Sequence, residues 1–480
     1  MTYHRGADSI ERGVSRSIVA AAAGHRLGAA SRIELLEVED TARAIRELEA
    51  LPWVASAEPD RRVRSLAVPN DQFFGLQWGM NNTGQVIRSF PVTAGVDIDA
   101  PEAWDITTGD PTFVVAVIDE GIQLDHPDLQ GSIWVNADEI PGNGIDDDNN
   151  GYIDDVNGWD FYDNDNDPDD LTGHGTHVSG IVAAKGNNTI GVAGVAWDCK
   201  VMPLRFIGLD GGFISDAILA LEYAIANGAR VSNNSWGEYE YSDALNAAIE
   251  DAALAGHLFV AAAGNDGIDN DAMPLYPASY DSANIISVAN MTAYNRIAVA
   301  SNRGATTVDL GAPGNDVAST WINSDYVYFS GTSMAAPHVS AVAALMWSVR
   351  PGLTVAQVKD TILATVRPAP ETVGLTATGG MVNAFDALTA ALAEPECNAD
   401  VTSTGGTIPG SPGYGNPDGV VDLDDLGYIV DAWISGNTAL ADLTTGGATL
   451  EGQPGFGVPD GSITIDDLGF YLNIWRAGCP

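Results

Sequence analysis

The chain has 480 residues, with 21 Lys and Arg against 65 Asp and Glu, for a formal net charge of -44. So much negative charge makes poor partners of nucleic-acid backbones and anionic membrane surfaces. No apolar run reaches the ~18 residues of a membrane span, and three cysteines fit neither a disulfide-dense scaffold nor a four-ligand zinc site.

Charge is unevenly spread. Residues 1–66 hold ten Arg and ten acids, leaving 11 basic against 55 acidic residues beyond them, so the first stretch reads as a separate, near-neutral unit. Within it, residues 32–64 alternate as strand, amphipathic helix and strand, too little chain for a stable core alone. The opening "MTYHRGADSIERGVSRS" lacks the apolar core of an export signal, so no signal peptide is evident.

Residues 67–394 alternate apolar strands, such as "FVVAVID", "VMPLRF" and "HLFVAAAG", with helices such as "ISDAILALEYAIANG" and "SDALNAAIEDAALAG". That alternation predicts an α/β unit, a parallel sheet flanked by helices, with sites gathered at the carboxyl ends of its strands. Residues 395–480 repeat themselves at an offset of 42: "PGYGNPDG" returns as "PGFGVPDG", and "DDLGYIVDAW" as "DDLGFYLNIW". Cys397 and Cys479 bracket this region and suggest one staple, hence an oxidising compartment, with Cys199 left as a free thiol.

Four signals carry chemistry. "FVVAVID" ends in Asp119, "DLTGHGTHVSG" places His174 and His177 at a helix entrance, "VAAAGND" ends in Asn265, and "GTSMAAPH" sets Ser333 at the mouth of an apolar helix. A serine there can be a cap or a nucleophile, and as a nucleophile it needs a base that is oriented by an acid. Together, "VAVIDEGI", "HGTHVSG", "NNSWG", "AAAGND" and "GTSMAAPH" resemble the motifs of subtilisin-like serine proteases, in the Asp, His, Ser order of that family.

The resemblance implies that Ser333 attacks the scissile carbonyl, His174 moves its proton, and Asp119 orients the imidazole. The Asn265 side chain and the Ser333 N–H then hold the oxyanion, the former worth about 3 kcal/mol by analogy with subtilisin. It also makes Ser235, Trp236 and Gly237, with Ala262, Ala263 and Gly264, the backbone walls of the primary specificity pocket. A neutral His174 predicts activity rising through about pH 6 to 7. Residues 1–66 resemble a propeptide, cut near residues 65–69; the alternative is a permanent regulatory subdomain.

Acidic clusters point to structural Ca2+ and to no organic cofactor. Asp146, Asp148, Asn150, Tyr152 and Asp154 match most of a calcium loop, although Asn157 replaces its last Glu. A solvated acidic loop is the alternative. Asp71 and Asp128 match family calcium positions, and Asp160, Asp163 and Asp165 resemble a second family site. The tail resembles dockerin-type repeats: a small helical calcium-loop module with Asp418, Asp422, Asp425, Asp460 and Asp467 as ligands. The expected protein is an extracellular or cell-surface serine endopeptidase made as a zymogen. Its expected partners are polypeptide substrates, its own propeptide, and a surface or scaffold receptor for the tail. The alternative is a docking protein whose tail carries the main role.

Overall fold

The computed structural model describes residues 2–4, 9–19, 23–26, 32–38, 41–58 and 68–393. The chain divides into two compact units, Met1–Ser65 and Leu66–Pro480. The tail repeats, with Cys397, Cys479 and the five acidic ligands expected there, lie outside the described residues, as does most of the expected cleavage region.

The first unit is α+β. Helices Ser9–Ile18 and Thr41–Glu49 accompany two antiparallel pairs, Thr2–Tyr3 with Val54–Ser56 and Ala23–Arg26 with Glu34–Glu37. Its small core gathers Tyr3, Ala44, Leu48 and Val54. Buried Glu34 is held by the Tyr3 hydroxyl at 3.1 Å and by Arg16 at 2.5 Å.

The second unit is built on six parallel strands: β1 (Val114–Asp119), β2 (Lys200–Arg205), β3 (Val231–Asn234), β4 (Leu258–Ala262), β5 (Ile285–Thr292) and β6 (Leu310–Pro313). Their order is β6-β5-β4-β3-β1-β2; short strands at both edges, and Arg296–Ile297 paired antiparallel with the end of β5, extend the sheet to ten. β-Branched residues line both of its faces. Along β1, Val115 and Val117 point into one core, while Val114, Ala116 and Ile118 point into the other.

The first core is covered by α1 (His174–Ala183) and by α4 (Thr332–Val349), which is buried from Thr332 to Trp347. The second is covered by α2 (Ile214–Ala226) and α3 (Asp243–Leu254), the latter capped by the Ser242 hydroxyl accepting from the Leu245 N–H. A hairpin, β7 (Val317–Trp321) with β8 (Asp325–Phe329), leads into α4. Strand order reverses between β1 and β3, and ligands of such sheets collect outside the carboxyl ends at that point. Among the described residues, no helix is long and apolar enough to cross a membrane.

Candidate active site

Asp119 is the last residue of β1 and His174 the first of α1. Their approach depends on glycine. A Cβ on Gly175 would lie 2.0 Å from the Gly121 carbonyl oxygen, and Gly121 itself has φ +99° with Pro168 and Asp169 packed against it. With both side chains absent, His174 Nδ1 comes within 2.7 Å of Asp119 Oδ1. The Asp119 carboxylate is 1% exposed; Oδ1 also accepts from the Glu120 N–H at 2.8 Å, and Oδ2 has no hydrogen-bond partner.

Burial works to lower the His174 pKa. The Asp119 carboxylate, aided by Glu120 and Asp170, outweighs it and holds the imidazole up at about 9. The carboxylates thus favour the protonated ring, a shift upward from the range of 6 to 7 expected from an ordinary histidine. Segment 170–176 is fixed by Asp170, which accepts from the N–H groups of Thr172, Gly173 and Thr176.

His177 has a different part. Its Nε2 faces the carbonyl oxygens of Val317 and Val327, each at 3.2 Å, and so carries the proton and donates. Burial depresses its pKa to about 3, which keeps it a neutral post beneath the β7–β8 hairpin.

Ser333 lies in the first turn of α4, where backbone N–H groups have no partner within the helix. The Ser333 hydroxyl makes no cap. It donates to the Ser235 carbonyl oxygen at 3.2 Å, while the Ser235 hydroxyl donates to the Ser333 carbonyl oxygen at 2.9 Å. Behind Ser235 stand Asn233, whose amide donates to the Ser235 hydroxyl at 2.9 Å, and Ser340, which donates to Asn233. Asn265 presents its Oδ1 to the Thr332 N–H at 2.9 Å and to the Thr332 hydroxyl at 3.2 Å. Because an N–H can only donate, that contact fixes the amide's orientation and makes Nδ2 its remaining donor.

Ser235, Trp236 and Gly237 continue β3, and Ala263 and Gly264 follow Ala262 at the end of β4, so the two stretches stand side by side. The Trp236 ring itself turns into the second core against Phe206, with ring centroids 5.0 Å apart. Of Trp236, it is therefore the backbone and not the ring that continues the end of β3.

The matching motifs have counterparts among known proteins. A model of the subtilase family matches residues 110–399. The chain belongs to the subtilase family. It is a serine-type endopeptidase, with polypeptides as its substrates. It is 37% identical over 320 residues to a thermophilic serine proteinase of Bacillus sp. (strain AK1), covering 66% of this chain and 69% of the relative. It is 38% identical over 252 residues to thermitase of Thermoactinomyces vulgaris, covering 52% of this subtilase and 80% of thermitase. Among solved structures, a protease of Pseudoalteromonas arctica PAMC 21717 superposes with a TM-score of 0.55 at 31% identity, covering 67% and 99% of the two chains. The subtilisin-like α/β architecture of the second unit follows from these neighbours.

The acidic positions of this subtilase sort into three groups. Asp71 and Asp128 converge on one loop: Asp71 accepts from the Asn187 and Asn188 N–H groups, and Asp128 from the Asn188 amide at 2.6 Å and the Val192 N–H at 2.8 Å. Burial raises the Asp128 pKa to about 6, and the charge of Asp71 adds to the effect.

The residues expected to form a calcium loop fold into a run of local turns. Asp154 accepts from the Asn143 and Gly144 N–H groups and Asp146 from those of Asn150 and Gly151; Tyr152, whose carbonyl is the ligand the motif calls on, has its ring stacked edge-on against Trp159, Phe161 and Tyr223. Asp148 converges with Glu139 and Asp155, carboxylate oxygens lying within 4.8 Å of one another, and the buried Glu139 Oε2 has no hydrogen-bond partner. Glu139 and Asp155 were missed in the sequence because neither stands at a ligand position of the loop motif.

At the third group, the buried Arg205 guanidinium pairs with Asp160 and Asp163. Two of the three carboxylates expected with Asp165 to hold a metal thus share a protein cation.

Proposed function

We propose that this subtilase hydrolyses peptide bonds through Asp119, His174 and Ser333, with Asn265 Nδ2 and the Ser333 N–H as oxyanion donors. The observation that carries the reading is the 2.7 Å contact between Asp119 and His174 at the sheet's switch point. Extended substrate pairs with the backbone of Ser235–Gly237 and Ala262–Gly264. Once His174 has lost a proton, Ser333 turns from the Ser235 carbonyl toward Nε2, gives up its proton and attacks the scissile carbon. The carbonyl π electrons move to oxygen, where the two donors meet the developing charge. Collapse expels the amine, which takes the proton from His174, and water repeats the sequence on the acyl-enzyme. Ser333→Ala and His174→Ala should each abolish both peptide hydrolysis and labelling by a serine-directed phosphonate; full activity in either would refute the assignment.

Residues 1–66 are proposed as a propeptide, 67–394 as the peptidase and 395–480 as a dockerin-like module, in an exported zymogen. Calcium is proposed to bind the Asp71–Asp128 loop and the Glu139–Asp148–Asp155 cluster. The donor set there is all oxygen, which suits a hard cation, and Glu139 offers a buried oxygen that no protein group satisfies. The ion would neutralise carboxylates that burial makes costly to charge.

A further inference from the structure

The residue that follows Asp119 places a second carboxylate beside the candidate base. Asp119, Glu120 and His174 each offer a ligand atom, and these atoms lie within 4.8 Å of one another. Glu120 is anchored by the Thr172 hydroxyl, which donates to its Oε2. Asp119 is 1% exposed, yet its Oδ2 has no donor, an expensive condition for a buried anion. The His174 side chain is 21% exposed and leaves a way in from solvent. Alongside, a cavity of about 530 Å³ is lined by Asp125, Asp167, Asp169 and Asp170, a concave negative wall that raises the local concentration of cations.

One imidazole and two carboxylates form a donor set for zinc-class ions and a poor one for calcium, which takes oxygen ligands. We propose that Asp119, Glu120 and His174 form a site for a divalent transition-metal ion that switches the peptidase off; the switching, though not the site, rests on His174 being the base.

The nitrogen that faces Asp119 is Nδ1. An ion bound there displaces the Nδ1 proton to solvent and takes its place between the imidazole and the carboxylates. Ligand distances of about 2.0–2.2 Å put the ligand atoms of a tetrahedral ion roughly 3.4 Å apart, so small torsions must open the Asp119–His174 pair from 2.7 Å and bring the Glu120 carboxylate inward. A neutral imidazole bound to metal through Nδ1 carries its remaining proton on Nε2. Nε2 then donates where it must accept, and Ser333 cannot lose its proton. Asp119 Oδ2, bound or brought next to the ion's charge, ceases to be an orphan.

The test uses the full chain with calcium held at a fixed saturating concentration and zinc chloride as the probe. Zinc binding is measured by calorimetry in Ser333→Ala, which cannot digest itself, and in the same variant carrying Glu120→Gln. Zinc inhibition is measured separately in the wild type and in Glu120→Gln, each relative to its own zinc-free rate. The expected result is binding of one additional ion that Glu120→Gln weakens about 10- to 100-fold, the usual cost of a damaged metal environment, with the inhibition constant rising in parallel and a zinc-selective chelator restoring activity. Binding and inhibition untouched by Glu120→Gln would overturn the site. Binding that is lost in Glu120→Gln without any inhibition in the wild type would keep the site and refute His174 as the base.

Discussion

Ser235 and Ser333 exchange two hydrogen bonds, hydroxyl to carbonyl in each direction, at 2.9 and 3.2 Å. The candidate nucleophile is thereby tied to the stretch that continues β3, and the tie is backed by Asn233 and Ser340. Ser235→Ala removes one of the two bonds, leaves the Ser235 carbonyl in place and abandons the Asn233 amide. A neutral bond of this kind is worth about 1 kcal/mol, so kcat should fall by roughly fivefold with KM little changed. Ser333→Ala should cost about a millionfold, the size familiar from subtilisin. Steady-state kinetics on one peptide compare the two; equal losses would mean that Ser235 does more than position.

The pH dependence follows from the carboxylates around His174. Asp119 and Glu120 raise its pKa to about 9 against the lowering effect of burial, and the base acts only when deprotonated. The acid limb of kcat/KM should therefore lie above the 6.5 of a free histidine and toward 9, with activity low on the acid side and rising through that limb. Removing the Glu120 charge withdraws one raising influence, so Glu120→Gln should move the limb to lower pH. A limb at or below 6.5 in the wild type, or an upward shift in Glu120→Gln, would contradict this reading. Stability runs the other way: a base whose folded pKa is raised stabilises the fold at low pH, and that contribution is lost as pH rises through about 9.

The sheet and the ordered residues Asp119, His174, Asn265 and Ser333 were legible in the sequence because each closes an apolar strand or opens an apolar helix, and chain order survives folding. The acidic loops were less legible. Carboxylates spaced like a calcium loop can as easily cap local turns, and Asp146 and Asp154 do so. Arg205 lies 42 residues beyond Asp163 yet pairs with it, a contact that only the β2 register creates. The ring of Trp236 faces the core, while its backbone continues the end of β3, a distinction invisible to a motif. Glu120 stood in plain view after Asp119, but its nearness to His174 depends on the turn that Gly121 allows.

The tail is separable by prediction. Helix Ala384–Ala393 packs Ala384, Ala387, Leu388 and Ala391 into the first core, and every proposed triad and oxyanion residue precedes it. Deleting residues 395–480 should leave kcat/KM nearly unchanged. Thiol counting on the unfolded full chain should find one thiol, Cys199, which is buried and whose pKa burial raises to about 11. A truncated enzyme that folds without activity, or three titrating thiols from the three cysteines, would contradict the proposed division of the chain.

Calcium gives the sharpest separation among the acidic clusters. Glu139, Asp148 and Asp155 meet with an orphaned Glu139 oxygen, whereas Asp160 and Asp163 meet around Arg205. An ion bound only to the native state adds RT ln(1 + [L]/Kd), about 2.7 kcal/mol at 100 Kd, so chelation should lower the melting temperature by several degrees. Asp128→Ala should remove part of the calcium response. Glu139→Gln keeps the amide oxygen that can accept from the Asp147 N–H, at 2.8 Å in the wild type, but removes a charge. It should therefore melt above the wild type in chelator, where like charges repel, and below it in calcium, where a ligand is missing. Asp163→Asn should lower stability equally in both conditions, because its cation is covalently part of the chain. Melting curves of the three variants with and without calcium decide the matter: parallel lines for Glu139→Gln would assign its carboxylate a purely structural part and leave the cluster without an ion.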